Sequence, residues 1–251
     1  MAGAVPRCGV FVVSVDVDGS NSHGSRHDAE RDASLAAVLT CADRFKCPVT
    51  FGFRDLESRA VGTVFEFATS HEVAAVLPRG EQEHARLVRH LRRLRDLQAA
   101  GGGPITTLFT NASVVFDSAE LLIKYGVQTV RNGLPVPTPR LVGPRVIRYG
   151  LAHLCTSTLL PGNVIRFERA LGKVMDALED AAIARSIFHL AISLADVTAE
   201  TIKRQLTPVM QIAHTLNQAG HLHLNSIDQL SWLARRKRPV TSMQSILRRA
   251  A

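Results

Sequence analysis

Tryptophan and tyrosine are scarce: one Trp and two Tyr in 251 residues. Clefts that grip a long polysaccharide present such faces to sugar rings, and single-strand nucleic-acid platforms stack bases on them. With only Trp232, Tyr125 and Tyr149 available, neither kind of surface is expected. Long apolar runs are missing too. None reaches the ~18 residues that span a bilayer, so no membrane segment is expected. The opening stretch MAGAVPRCGVFVVSVDVDG has one Arg and a short apolar run, then Asp16 at once. It reads as a first strand rather than a signal peptide. Cysteine is sparse, and Cys8, Cys41, Cys47 and Cys155 form no C-x-x-C pair. Reduced thiols in a cytoplasmic protein are the expectation.

The net charge of +8 suggests a polyanionic partner until its placement is considered. The tail Arg235–Ala251 holds six basic residues and no acidic one, which leaves the body nearly neutral. A second cluster, RLVRHLRRLRD (Arg86–Asp96), interleaves arginines with leucines and fits a solvated helix face. Nucleic acid is therefore not an expected partner. The basic tail is expected to lie outside a folded domain spanning residues 1–234.

Short β-rich runs alternate with helical patterns along that domain. Strands are expected at Val10–Val15, Val49–Phe53, Glu72–Leu77, Ile105–Phe109, Val127–Arg131, Arg145–Tyr149, Ser186–Leu194 and His221–Ile227. Apolar spacings of three and four predict helices over Ala33–Phe45, Arg59–Ser70, Glu83–Gln98, Ser118–Gly126, Phe167–Ala184 and Ala199–Gly220. Gly126 and Gly220 stand where helices end, and Asp196 reads as an N-cap. Such alternation implies a mostly parallel sheet, open or closed into a barrel, with ligands at the C-terminal ends of its strands.

The first strand ends in FVVSVDVDGS, with Asp16 and Asp18 where ligands gather. A strand followed by D-x-D-G-[ST] opens the haloacid-dehalogenase-type phosphatases. There one aspartate attacks phosphorus and the other is acid and base, with magnesium neutralising the phosphate. No G-D-x-x-x-D pattern follows in the second half to hold that magnesium. The other use of such a pair is metal-assisted hydrolysis, in which one carboxylate activates water and its neighbour holds a divalent ion.

Further along, the order of segments resembles the polysaccharide deacetylase family, the metal-dependent deacetylases of chitin and peptidoglycan. CPVTFGF (Cys47–Phe53) is similar to its P-A-T-F-F strand, and SHEVAAV (Ser70–Val76) to its G-H-E-I element. SIFHLAI (Ser186–Ile192) resembles its histidine-bearing strand, and GHLHLNSIDQL (Gly220–Leu230) its closing element. The resemblance implies an irregular (β/α) barrel of seven or eight mostly parallel strands. It implies Asp16 as catalytic base, Asp18 as metal ligand and His189 as the acid that protonates the leaving amine.

The departures are specific. The family's two metal-binding histidines fall on Val76 and Gly80, or in a shifted register on His71 and Ala75, and TLFTNAS (Thr107–Ser113) replaces its R-x-P-Y segment. A catalytic zinc needs about three protein ligands, so zinc is expected only if substitutes such as His23 and His27 complete the set. His71, Asn111 and Arg131 are the expected substrate contacts. The implied activity is hydrolysis of an N-acyl group on a small amino sugar or related metabolite, with an altered or absent metal site. The alternatives are a non-catalytic subunit that binds a protein partner or a second copy, and the phosphatase.

Overall fold

The computed structural model describes residues 8–17, 25–77, 84–99, 104–110, 117–135, 145–146, 148–160 and 167–236. Ten strands and seven α-helices alternate through them. The strands are β1 (Gly9–Asp16), β2 (Val49–Phe53), β3 (Glu72–Val76), β4 (Thr107–Thr110), β5 (Thr129–Pro135), β6 (Arg145–Val146), β7 (Ala152–Thr156), β8 (Thr158–Leu159), β9 (Ile187–Ser193) and β10 (Leu222–Asn225). The helices are α1 (Ser25–Arg44), α2 (Arg59–Phe65), α3 (His84–Ala99), α4 (Ala119–Lys124), α5 (Phe167–Ile183), α6 (Ala199–Gln218) and α7 (Ile227–Arg236).

The sheet runs β6-β7-β5-β4-β3-β2-β1-β9-β8, and every pairing is parallel except that of β6 with β7. Its two ends meet through one residue. The extended segment around Ser157 pairs with β5 as β7 and with β9 as β8, so the ring closes. Ser157 holds that corner, donating its N–H to the His189 carbonyl at 3.0 Å. Its hydroxyl oxygen accepts the His189 N–H at 3.1 Å. The barrel expected from the alternation is present. The bend at 152–159 was not legible, because its short strands carry no long apolar run.

Strand alternation sorts each side chain inward or outward. Phe11, Val13 and Val15 of β1 pack outward with Phe51, Phe53, Leu39 and Leu206, beneath α1, α5 and α6. Leu87 and Leu91 of α3 cover Ala75, Leu108 and Val130 in a second outer layer, leaving the arginines 89, 92, 93 and 95 of that helix exposed. Inside the barrel lie Val10, Val12, Ala74, Phe109, Leu154 and Ile187, closed below by Ile227 and Leu230 of α7.

Helix α7 is welded into the base. The Ile227 N–H donates to Thr50 Oγ1 at 3.0 Å and the Asp228 N–H to Glu72 Oε2 at 2.9 Å. Ser226 and Gln229 cap each other reciprocally, so the first N–H groups of the helix, orphans by geometry, all find acceptors. Burial pushes the Glu72 carboxyl pKa up, opposed by bonds from Thr107, the Asp228 N–H and Thr50. The His71-Glu72 pair of the sequence thus anchors the barrel floor. Two smaller expectations resolve as well. Gly126 and Gly220 take the left-handed conformation after α4 and α6 (φ 85° and 76°). The cap of α6 is Thr198, whose hydroxyl oxygen accepts the Thr201 N–H, and not Asp196.

Candidate active site at the barrel mouth

Asp16 is the last residue of β1 and faces inward by alternation with Val10, Val12 and Ser14. Its carboxylate is gripped from across the barrel. Arg131 of β5 donates from Nη1 to Oδ1 at 2.6 Å and from Nη2 to Oδ2 at 3.1 Å. The two strands lie four places apart in the sheet, so the arginine side chain crosses the interior. Its side chain is 1% exposed, against 31% for that of Asp16. A ligand arriving from solvent therefore meets the carboxylate and not the guanidinium.

Phe109 is the platform beneath this pair. The Arg131 guanidinium carbon sits 4.2 Å from the centre of its ring, an electrostatically favourable stack. The ring has room because residue 52 is glycine: a Cβ there would collide with the Phe109 ring and with a Val76 methyl. Gly52, Val76, Phe109, Arg131 and Asp16 thus form one packed layer. Arg131 Nε has no acceptor among the described residues.

His189 is not at this level. It pairs in register with Val12, whereas Asp16 pairs with Ser193; its Cα lies four residues, about 13 Å, further back along the strand direction. Its Nε2 lies 2.7 Å from Ser14 Oγ and its Nδ1 3.1 Å from the Cys155 carbonyl. Both nitrogens are engaged when Nδ1 donates to the carbonyl and Nε2 accepts from the serine hydroxyl. Burial, reinforced by the Arg131 charge and opposed by the bond to Cys155, pushes its pKa down to about 3. The imidazole is therefore neutral through the physiological range. Because the folded pKa lies below the unfolded one of about 6.5, its contribution to stability is whole above pH 6.5 and drains as pH falls. Between about pH 6 and pH 4 it should cost ~1.4 kcal/mol per pH unit. Urea unfolding across that range should show a shallower slope in His189→Gln; an unchanged slope would mean the imidazole takes up protons in the folded protein.

Of the remaining expected site residues, only His71 is described, and it lies away from the mouth. His71 precedes β3 at the opposite end of the strands from Asp16, and its Nδ1 accepts the Val49 N–H at 3.3 Å. Its ring meets Phe51 edge-on, and burial lowers its pKa. The strand between separates it from the mouth. Asp18, Asn111 and His23 lie outside the described residues, as does the side-chain environment of His27. At the family's ligand positions, Val76 belongs to the layer around Gly52, and Ala75 is buried in the outer core. Among the described residues no three His, Cys, Asp or Glu gather as a metal set. A zinc of the family kind therefore finds no complete ligand set among the described residues.

No protein-family model matches the sequence, and no curated protein matches it. Solved structures do resemble it. A Mycobacterium smegmatis protein assigned as a polysaccharide deacetylase superposes with TM-score 0.66 at 14% identity, over 94% of this chain and 95% of that one. One from Pseudomonas aeruginosa PAO1, assigned likewise, gives 0.64 at 13% identity over 92% of both chains. The Puue allantoinase gives 0.57 at 11% identity, again over 92% of both. At such identities the likeness speaks for architecture alone, and with the closed ring and its aspartate-tipped first strand it gives the conclusion: this chain has the polysaccharide deacetylase fold.

Proposed function

We propose that this protein is a deacetylase-type hydrolase acting on an amide (N-acyl) group of a small amino sugar or related metabolite in the cytoplasm. The observation that carries this is the Asp16 carboxylate, held in place by a buried guanidinium and still a third open to solvent at the barrel mouth. Ligands of parallel barrels bind at that end, and a carboxylate there is placed to accept a proton from water or from a substrate donor. An acceptor at the mouth favours neutral or cationic, donor-rich molecules. It gives a phosphate nothing to bind, which weighs against the phosphatase reading. The scarcity of Trp and Tyr favours a single sugar unit over a polymer. None of the four cysteines forms a disulfide, in keeping with a reducing compartment.

A second reading, a non-catalytic subunit that binds its ligand, a partner or another copy, is favoured by His189 and Val76. The histidine is fully committed to Ser14 and Cys155, and a valine stands where a ligand would be. Acetate release from N-acetylglucosamine, measured on the wild type and on Asp16→Asn, separates the two. The hydrolase reading expects release by the wild type and a fall of at least ~100-fold in the variant, the scale of a lost general base. Release that survives the substitution would remove Asp16 from the chemistry. No release by the wild type, with or without added zinc, would select the non-catalytic reading.

A further inference from the structure

We propose that the floor of the barrel, at the opposite end from Asp16, is a built site for internal water that joins Glu72 to three buried hydroxyls. Three consecutive strands and one helix supply it. Leu108 and Val130 pack outward and Phe109 inward, so alternation turns Thr107 of β4 and Thr129 of β5 into the interior. These two threonines are cross-strand partners. Glu72 begins β3, the strand beside β4. Helix α7 closes the set from below. Its Asp228 N–H is bonded to Glu72, and the helix packs onward against β5 and β7. Ser231, one turn after the buried Ile227, shares the inward face of that helix.

The polar atoms gathered there do not satisfy one another. Thr129 and Ser231 are 0% exposed and Thr107 is 1% exposed. Yet the hydroxyl oxygen of each, and Glu72 Oε1, has no hydrogen-bond partner among the described residues. Thr107 bears on the Glu72 carboxyl closely enough to lower its pKa, but the approach falls short of full hydrogen-bond geometry. Left dry, each of these atoms would carry its desolvation penalty unrelieved. Their chemistry selects the ligand. A carboxylate oxygen only accepts, so whatever bridges to Oε1 must donate, while hydroxyls can do either. Water meets both demands and is held by about two to four polar partners. An anion is repelled by Glu72. A cation would stand at the N-terminus of α7, where the helix dipole is already positive.

The direct test is a crystal structure of the full chain at a resolution that shows ordered water. It should place at least one water within hydrogen-bond reach of Glu72 Oε1 and one of the three hydroxyls. A floor without such density would overturn the proposal. Thermal unfolding gives an independent readout. Thr129→Val keeps the side-chain shape and removes the hydroxyl, so it should lower the Tm by roughly 2–4 °C if a bond to water is lost. An unchanged or raised Tm would mean that the hydroxyl had no partner to lose, and the proposal fails. Ser231→Ala carries the same test on the helix side, with the same expected direction, should the valine variant not fold. A wild-type Tm that falls when choline chloride replaces sodium and potassium chloride at equal ionic strength would assign the site to a monovalent cation instead. None of these readouts involves Asp16 or acetate release, so the floor site stands or falls separately from the hydrolase reading.

Discussion

Replacing Asp16 with asparagine is expected to destabilise the fold by about 3 kcal/mol or more, although Asp16 itself is the more exposed partner. The cost lies with Arg131. Its side chain is 1% exposed, and a neutral amide leaves that charge in the barrel without a counter-ion, a change that typically costs ~3–5 kcal/mol. The exposure of Asp16 places the expectation at the lower end of that range. For a chain of this size ~3 kcal/mol is a Tm loss of about 6–12 °C. Arg131→Met is expected to be milder, since the flexible apolar side chain can rest on Phe109 while Asp16 turns to water. Urea unfolding of both variants decides it. If Asp16→Asn costs under ~1 kcal/mol, the range of an exposed ion pair, or less than Arg131→Met, the guanidinium is not dependent on its carboxylate.

Phe109→Ala should cost a similar ~3–5 kcal/mol, the usual range for a buried aromatic truncated to alanine. Phe109 is 3% exposed, and losing its ring opens a cavity beneath the guanidinium as well as removing the stack. Gly52→Ala attacks the same contact from the other side. Its methyl would fall on the Phe109 ring, and overpacking of this kind costs ~1–3 kcal/mol. The two changes should not add. With the ring gone, only the Val76 methyl still crowds the alanine methyl, so the double variant should cost less than the sum of the two single changes. A strictly additive double-mutant cycle would mean that ring and glycine do not share the space.

Much of the scaffold was legible residue by residue. Continuous apolar strands such as Val10–Val15 announce burial on both faces, and the Leu87-Leu91-Leu94 stripe announces the inner face of an arginine-rich helix. The final helix was not. Ser226 and Gln229 form a capping box, but their segment carries alternating His221-Leu222-His223-Leu224 just before it, and the period-two signal masked the helix start. His189 misled for a related reason. A histidine in a β-rich run looks the same wherever it falls along the strand, and its depth depends on the register with β1.

Composition and local pattern, with the familiar order of segments, were enough for an α/β barrel with an aspartate at the tip of its first strand, because side-chain period and turn residues act over a few neighbours. The partner of Asp16 needed the closed ring. Arg131 reads locally as one strand residue among others, and only the stagger of successive pairings through Gly52, Val76 and Phe109 carries its side chain across the interior to the carboxylate. Glu72 likewise becomes a helix anchor only when the chain's last described helix folds back beneath the barrel. Both are contacts between residues more than a hundred positions apart, set by ladder register and barrel closure, which no window of sequence contains.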